Sequence, residues 1–169
     1  MAADVDEGDM VSISFVGASA GLSGINVYWN NDAAIFVSLL NGNQATGNYT
    51  VGRFSGDANA ARVASNKFTQ VTSGTYSFQG ASFANRTTIP INMAADPAPL
   101  QLRVMVLYRR SSVGIEPTGG TLADGGIVTI NSTGTAENNI VTNVSLTRFS
   151  EQIPAVFDNV LYTNGSLSQ

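Results

Sequence analysis

The chain has 169 residues, of which 43% are hydrophobic and only 12% are charged, and its formal net charge at pH 7 is −4. That length suits one ordinary domain whose core is large enough to be stable without disulfides or bound metals. The charged share is about half the usual one. His and Cys are both absent, which excludes disulfides, zinc–thiolate sites, thiol nucleophiles and imidazole acid–base chemistry within this chain.

Nucleic acid is disfavoured as a partner. The eight basic residues are seven Arg and the single Lys67, and only Arg109 and Arg110 are adjacent, whereas a nucleic-acid footprint needs a clustered basic face. No window approaches the roughly 20 apolar residues of a membrane-spanning helix. We therefore expect no nucleic-acid partner and no membrane contact by this chain.

Small hydrogen-bonding residues replace charges over much of the sequence. Asn, Ser, Thr and Gly together supply 65 of the 169 residues. Ser, Thr and Asn compete with helical backbone hydrogen bonds and Gly fails to support them, so this composition disfavours long helices. It is typical of secreted and surface-assembled β-proteins.

The first nine residues are acidic, and we expect residues 1–9 to form a flexible tail before a single β-sandwich domain at residues 10–169. The acids Asp4, Asp6, Glu7 and Asp9 superficially resemble a calcium loop, but the spacing lacks the required fifth-position ligand and sixth-position glycine. The segment Met10–Val16 then alternates, with Val11, Ile13 and Phe15 on one face, and predicts the first strand.

Two apolar runs follow, Ile25–Trp29 and Ala34–Leu40, and both predict central strands because apolar residues occupy both faces. Asn30-Asn31-Asp32 joins them with residues that tolerate left-handed turn conformations, so a β-hairpin is predicted. Aromatic rings beside amides are also typical of sugar-binding surfaces, which makes this stretch a candidate ligand site comprising Tyr28, Trp29, Asn30, Asn31 and Asp32. Against that, Trp29 shares a face with Ile25 and Val27, which favours a core position.

The rest of the chain reads as further strands around one helical turn or two. Alternation is clearest at Leu100–Arg110, where Leu100, Leu102, Val104, Val106 and Tyr108 share a face, and it recurs at Ile140–Arg148. Asp57–Lys67 is the only helical candidate, with Asp57 as its N-cap. Other predicted strands are Tyr49–Ser55, Gly74–Gln79, Ala81–Ile91, Gly126–Ser132 and Ala155–Thr163. The predicted fold class is mainly β, an antiparallel β-sandwich of Ig-like or jelly-roll-like form with at most one short helix.

Carboxylate chemistry is what the composition leaves available. The acidic residues after the N-terminal segment are spread singly through predicted loops, without a spacing that suggests a shared cleft. We therefore expect no catalytic residue, no metal site and no cofactor.

Four segments in the C-terminal half occur in a familiar order: Leu100–Tyr108, Gly119–Leu122, Ser132–Ala136 and Ile153–Tyr162. In this order the chain resembles the soluble part of prepilin-type proteins, the minor-pilin-like subunits of type IV pili, over about seventy residues. The resemblance implies an extracellular β-domain carried on an N-terminal apolar helix. The sequence departs from that pattern because it lacks the helix, its early glutamate and the processed signal, a departure that would be explained if the given sequence starts after them.

Composition and resemblance together predict a non-enzymatic structural or adhesive domain at the cell surface, a subunit of a type IV pilus-like filament. Its expected partners are other filament subunits or surface proteins. Two alternatives stay open. One is a jelly-roll virion (capsid) protein, and the other is a carbohydrate-binding module centred on Tyr28 and Trp29, for which glycans are the partner.

Overall fold

A computed structural model of the chain describes residues 2–123, together with the backbone of two strands at residues 127–135 and 141–149. These ranges are mainly β, as predicted. The elements in chain order are β1 (Ala2–Val5), β2 (Met10–Ser14), β3 (Gly24–Trp29), β4 (Ala34–Asn43), β5 (Asn48–Gly56), α1 (Ala60–Asn66), β6 (Tyr76–Phe78), β7 (Ala81–Phe83), β8 (Asn85–Pro90), β9 (Ala98–Leu107), β10 (Ser111–Thr118), β11 (Ile127–Thr135) and β12 (Val141–Phe149).

Eight of the strands, β1–β5 and β8–β10, pair to form one long antiparallel double ribbon that is rolled up. β1 pairs with β10, β2 with β9, β3 with β8 and β4 with β5, all antiparallel. Rolling this ribbon places β10 beside β3 and β9 beside β4. Two four-stranded sheets result, sheet A in the order β1-β10-β3-β8 and sheet B in the order β2-β9-β4-β5. This order is that of a jelly roll rather than an Ig-like sandwich.

One apolar core lies between the two sheets. The alternation of each strand supplies it, so that Trp29 from sheet A and Ile35 and Leu102 from sheet B are fully buried. The same alternation directs Val11, Ile13 and Phe15 inward, as predicted from their spacing. Side-chain layers of this kind, close-packed between two sheets, make the domain a rigid platform for the loops at its ends.

The predicted hairpin between β3 and β4 is wrong. β3 lies in sheet A and β4 in sheet B, so Asn30–Ala33 cross from one sheet to the other. Asn31 does adopt the left-handed conformation expected of a turn residue, with φ of 59°. The Oγ of Ser111 accepts a hydrogen bond from Asn30 N at 2.8 Å and donates to Asn30 O at 2.9 Å, which satisfies the backbone groups that a hairpin ladder would have paired.

Three other elements differ from their predictions. Ala2–Val5, expected within a flexible tail, form edge strand β1, and Val5 contributes to the core. The predicted strand Ala81–Ile91 is two strands, β7 and β8. The predicted strand through Tyr108 ends at Leu107, because Tyr108 turns into the left-handed region with φ of 70°.

Helix α1 begins two residues later than the sequence predicts. Its N-cap is Asn59, whose side-chain oxygen accepts hydrogen bonds from Ala61 N and Arg62 N. Asp57, the predicted cap, is fully buried and instead accepts from Asn59 N at 2.8 Å. Both residues are good caps by type and both precede alanines, so the sequence alone does not distinguish them.

The chain divides into two compact units, residues 1–126 and residues 127–169. In the second, β11 and β12 form an antiparallel hairpin that runs from the Ile127–Phe149 pair to the Thr135–Val141 pair. The strands predicted at Gly126–Ser132 and Ile140–Arg148 correspond to this hairpin. The strand predicted at Ala155–Thr163 lies outside the described residues.

Candidate functional site

The five residues of the predicted ligand-binding stretch point in different directions. Trp29 has no exposed surface, and its Nε1 donates to Ala33 O at 2.9 Å. Its predicted core position is confirmed. Asn30 is half-buried, and its Oδ1 accepts from Ala84 N at 2.7 Å. Asn31 and Asp32 alone among the five are exposed.

Tyr28 lies on the outer face of sheet A under a small ribbon made of β6 and β7. Its ring is stacked on that of Phe78, with centroids 5.3 Å apart, and touches Phe83 with centroids 5.6 Å apart. The ribbon can approach this closely because Gly114 presents no side chain there. A Cβ at Gly114 would lie 3.1 Å from atoms of both Phe78 and Phe83.

The hydroxyl of Tyr28 is also engaged. It donates a short hydrogen bond to Oε2 of Glu116, and Asn26 Nδ2 donates to the same oxygen at 2.9 Å. These two donors lower the pKa of Glu116, the Tyr28 bond contributing most. Burial, and then the bond to Glu116, raise the pKa of Tyr28. Tyr28 therefore has a structural role, because its hydroxyl is hydrogen-bonded to Glu116 and its ring is covered by Phe78 and Phe83.

A second group of charges joins the β3–β4 connection to α1, and we call Arg62, Asp57 and Asp32 the Arg62 cluster. Arg62 donates to both carboxylate oxygens of Asp57, at 2.7 and 2.8 Å, and to both oxygens of Asp32, at 2.9 Å each. Two-pronged contacts of this kind are the strong form of charge-assisted hydrogen bond. They raise the pKa of Arg62, with Asp57 the larger cause, and the Arg62 contacts lower the pKa of Asp32.

Tyr108 packs on this cluster. The Arg62 guanidinium lies 4.6 Å from the centroid of the Tyr108 ring, and Asn66 Nδ2 donates to the Tyr108 hydroxyl at 2.7 Å. The side chain is nevertheless 39% exposed. A left-handed conformation is uncommon for an aromatic residue and costs free energy, so the surrounding contacts must hold it.

An open depression adjoins Tyr108, with a volume of about 710 Å³. Two of the predicted site residues line it, together with residues from the turn after β9 and from the β1–β2 connection. We call it the Tyr108 depression, and its lining residues are Glu7, Asn31, Asp32, Tyr108, Arg109 and Arg110. The jelly roll assembles it, because the connection that crosses between the sheets ends beside the β9–β10 turn.

Surface contacts fix one side of the depression. Asn31 Nδ2 donates to Arg110 O at 2.9 Å. The Arg110 side chain reaches Asp4 at 3.3 Å and Asp6 at 3.4 Å, and all three of these side chains are well exposed. Exposed pairs of this kind contribute little to stability, but they orient the guanidinium at the rim.

The depression offers recognition chemistry. An aromatic ring, an amide, carboxylates and guanidinium groups surround one open volume, and such a set can stack on a ligand and exchange hydrogen bonds with it. Within residues 2–123, acidic side chains do not gather in threes in a way that could hold a metal ion.

The sequence identified part of this site. Asn31 and Asp32 belong to the predicted stretch, whereas Glu7, Tyr108, Arg109 and Arg110 were missed. Tyr108-Arg109-Arg110 ends the predicted strand Leu100–Arg110 and contains the one adjacent pair of arginines, which is the signal that the sequence offers. Loop residues at the end of a strong strand are common positions for binding groups.

Comparisons with protein-family models, with curated protein sequences and with solved structures find no match to this chain. Among the residues that the structure describes, no helix has the length and apolar character needed to cross a membrane.

Proposed function

We propose that this chain is a non-enzymatic structural or adhesive domain exposed at the cell surface, a subunit of a type IV pilus-like filament. The observation that carries the proposal is the Tyr108 depression, an open polar surface held at the end of a close-packed jelly roll. Binding groups on loops that a rigid scaffold positions are the usual design of recognition domains.

The engagement of the carboxylates supports a role without catalysis. Asp57 and Asp32 each receive two hydrogen bonds from Arg62, and Glu116 receives bonds from Tyr28 and Asn26. These bonds lower the pKa of Asp32 and of Glu116. A general acid for chemistry at neutral pH needs a raised pKa instead, so these groups suit structure better than proton transfer.

The prepilin-like order of segments supports the filament assignment. It runs from Leu100–Tyr108 through Gly119–Leu122 and Ser132–Ala136 to Ile153–Tyr162, and the first of these segments supplies strand β9 and the ring of Tyr108. In this proposal the depression faces outward from the filament and other subunits are the partners along it.

Localisation of the native protein tests the proposal. An antibody against residues 1–126 is used on the producing cells, with filaments sheared from the surface and separated from whole-cell lysate. We expect the antigen in the sheared fraction and gold label along filaments in electron micrographs. Recovery of the antigen only from cytosol, with unlabelled filaments, would contradict the proposal.

A second candidate rests on the strand order. Two four-stranded sheets ordered β1-β10-β3-β8 and β2-β9-β4-β5 form a jelly roll, an architecture that viral capsid and lectin domains share. The same preparation separates this candidate from the first. Closed particles that carry the antigen, and a packaging ATPase gene beside its gene, would favour a capsid protein. A prepilin peptidase gene and an assembly ATPase gene nearby favour the filament.

A further inference from the structure

We propose that the Tyr108 depression binds an uncharged sugar ring, stacked against Tyr108 and held by the polar groups around it. The inference rests on the proposed adhesive function, for which it names the class of ligand. It also moves the carbohydrate hypothesis from Tyr28 and Trp29, whose rings are buried, to a ring that is exposed.

Tyr108 is held as a stacking platform before any ligand arrives. Arg62 covers one ring face at 4.6 Å and Asn66 fixes the hydroxyl at 2.7 Å, so a ligand has to approach the opposite face. Tyr108 is 39% exposed and is one of the residues that line the depression. A ring that is already immobile loses little conformational entropy on binding, which favours affinity.

The polar groups at the depression match sugar hydroxyls. A hydroxyl both donates and accepts, and the lining supplies each counterpart: the Glu7 carboxylate accepts and the Arg109 guanidinium donates. Asn31 Nδ2 donates to Arg110 O, and its Oδ1 is a further acceptor. These three groups come from different connections, so they can meet hydroxyls on different sides of one ring.

The charge balance favours an uncharged ligand. The lining contains two acids, Glu7 and Asp32, and two bases, Arg109 and Arg110. Asp32 is already paired with Arg62, and Arg110 already lies beside Asp4. A charged ligand would meet groups of its own sign within the same depression, whereas an uncharged one meets only hydrogen-bond partners.

Amide-resolved NMR titration tests the proposal on the full chain. The probes are D-galactose, D-mannose, N-acetyl-D-glucosamine and lactose, with D-glucuronate and D-glucosamine as charged counterparts. We expect at least one uncharged probe to give saturable shifts at the backbone amides of Asn31, Tyr108 and Arg109, and to bind more tightly than either charged probe.

Variants assign the binding to the depression. Tyr108→Ala should abolish the saturable shifts, and Arg109→Ala and Glu7→Ala should each weaken binding about tenfold, equivalent to about 1.4 kcal/mol. The matched control is Tyr49→Ala, since Tyr49 is also an exposed tyrosine, 46% exposed, on strand β5 outside the depression. It should bind as the wild type does.

Two results would overturn the sugar site. One is the absence of saturable shifts with all four uncharged probes, and the other is equal binding by Arg109→Ala, Glu7→Ala and Tyr49→Ala, which remains readable even if Tyr108→Ala does not fold. If either result is obtained and the protein is nevertheless found along filaments, the sugar site is wrong but the proposed filament role is not contradicted. A chain absent from the surface that still binds removes the filament role instead.

Discussion

Arg62 and Asp57 form a paired, two-pronged contact in which one partner has no exposed surface. Nε of Arg62 lies 2.7 Å from Oδ2 of Asp57 and an Nη lies 2.8 Å from Oδ1, while the Asp57 carboxylate is fully buried and the Arg62 side chain is 20% exposed. A buried charge of this kind requires its partner. The contact fixes α1 against the end of the sandwich, where Tyr108 rests on Arg62.

Asp57→Asn should destabilise the chain by about 2–3 kcal/mol, because the fully buried carboxylate that accepts from Arg62 and from Asn59 N is replaced by an amide whose NH2 group faces those donors. Urea denaturation followed by circular dichroism measures the change in the free energy of unfolding. Asp4→Asn is the matched control. It removes an acid from the exposed Arg110 pair, and it should cost no more than about 0.5 kcal/mol. Equal losses of unfolding free energy in the two variants would show that the burial of Asp57 adds nothing to the strength of its contact with Arg62.

Gly114→Ala should destabilise by about 1–3 kcal/mol, since the added Cβ meets Phe78 and Phe83 at 3.1 Å and overpacks the ribbon against Tyr28. Gly52→Ala is the control, because a Cβ there meets its nearest atom, in Phe54, only at 3.4 Å. A strand alanine without a clash should be neutral or slightly stabilising. Thermal unfolding of the two variants side by side measures the difference, and an unaltered Gly114→Ala would mean that the ribbon does not pack closely here.

Glu116 and Tyr28 should make stability depend on pH at both ends of the range. The pKa of Glu116 is lowered in the folded chain, so its contribution is present above the ordinary value of 4.5 and is lost as the pH falls through the folded pKa. The pKa of Tyr28 is raised above 10.0, so its contribution is lost as the pH rises through the folded value.

Denaturation midpoints between pH 3 and pH 11, measured for the wild type, Glu116→Gln and Tyr28→Phe, check this dependence. The stability difference between the wild type and Glu116→Gln should shrink below about pH 4.5. The difference between the wild type and Tyr28→Phe should shrink above about pH 10. Differences that stay constant across the whole range would contradict the hydrogen bond between these two side chains.

Trp29 should report a dry, fully packed environment. It is the only tryptophan in the chain and has no exposed surface, so its fluorescence should be blue-shifted from the emission in urea and protected from acrylamide. Trp29→Ala should cost about 3–5 kcal/mol through the cavity that it leaves. Ready quenching of the native protein, or a Trp29→Ala variant of unaltered stability, would argue for a surface ring.

The sequence predicted the layers of the fold better than their connections. Strict alternation at Val11, Ile13 and Phe15 and at Leu102, Val104 and Val106 indicates which face of a strand is buried, and the structure confirms each. Alternation is a local signal, and it does not say which strands pair. Asn30-Asn31-Asp32 suit a hairpin turn and a crossing between sheets equally well, because both need left-handed backbone.

The sequence did not predict strands β1 and β10, and the structure gives a physical reason for each. β1 is acidic, and it forms because β10 offers it an edge to pair with. β10 contains Gly114 and Pro117, residues that weaken a strand. Pro117 is tolerated because β1 reaches only from Ser111 to Gly114, so that β10 has a single neighbour at the proline.

The site was predictable in part. Asn31 and Asp32 belong to the predicted stretch because they follow the aromatic pair in sequence, and they line the depression although Trp29 points into the core. In the sequence, Tyr108 continues the alternation of Leu102, Val104 and Val106, and this pattern predicts a core position for it. Its left-handed backbone, which ends the strand and exposes the ring, depends on contacts with Arg62 and Asn66 that are distant along the chain.

The crossing between sheets is the relationship on which the depression depends, and backbone nuclear Overhauser contacts of β3 test it most directly. In the jelly roll, Tyr28 lies opposite Gly114 on β10 and opposite Arg86 on β8, so we expect cross-strand contacts from Tyr28 to both residues. A ladder of contacts joining Ile25–Trp29 to Ala34–Leu40 would instead establish the hairpin, and it would contradict the assembly of the Tyr108 depression.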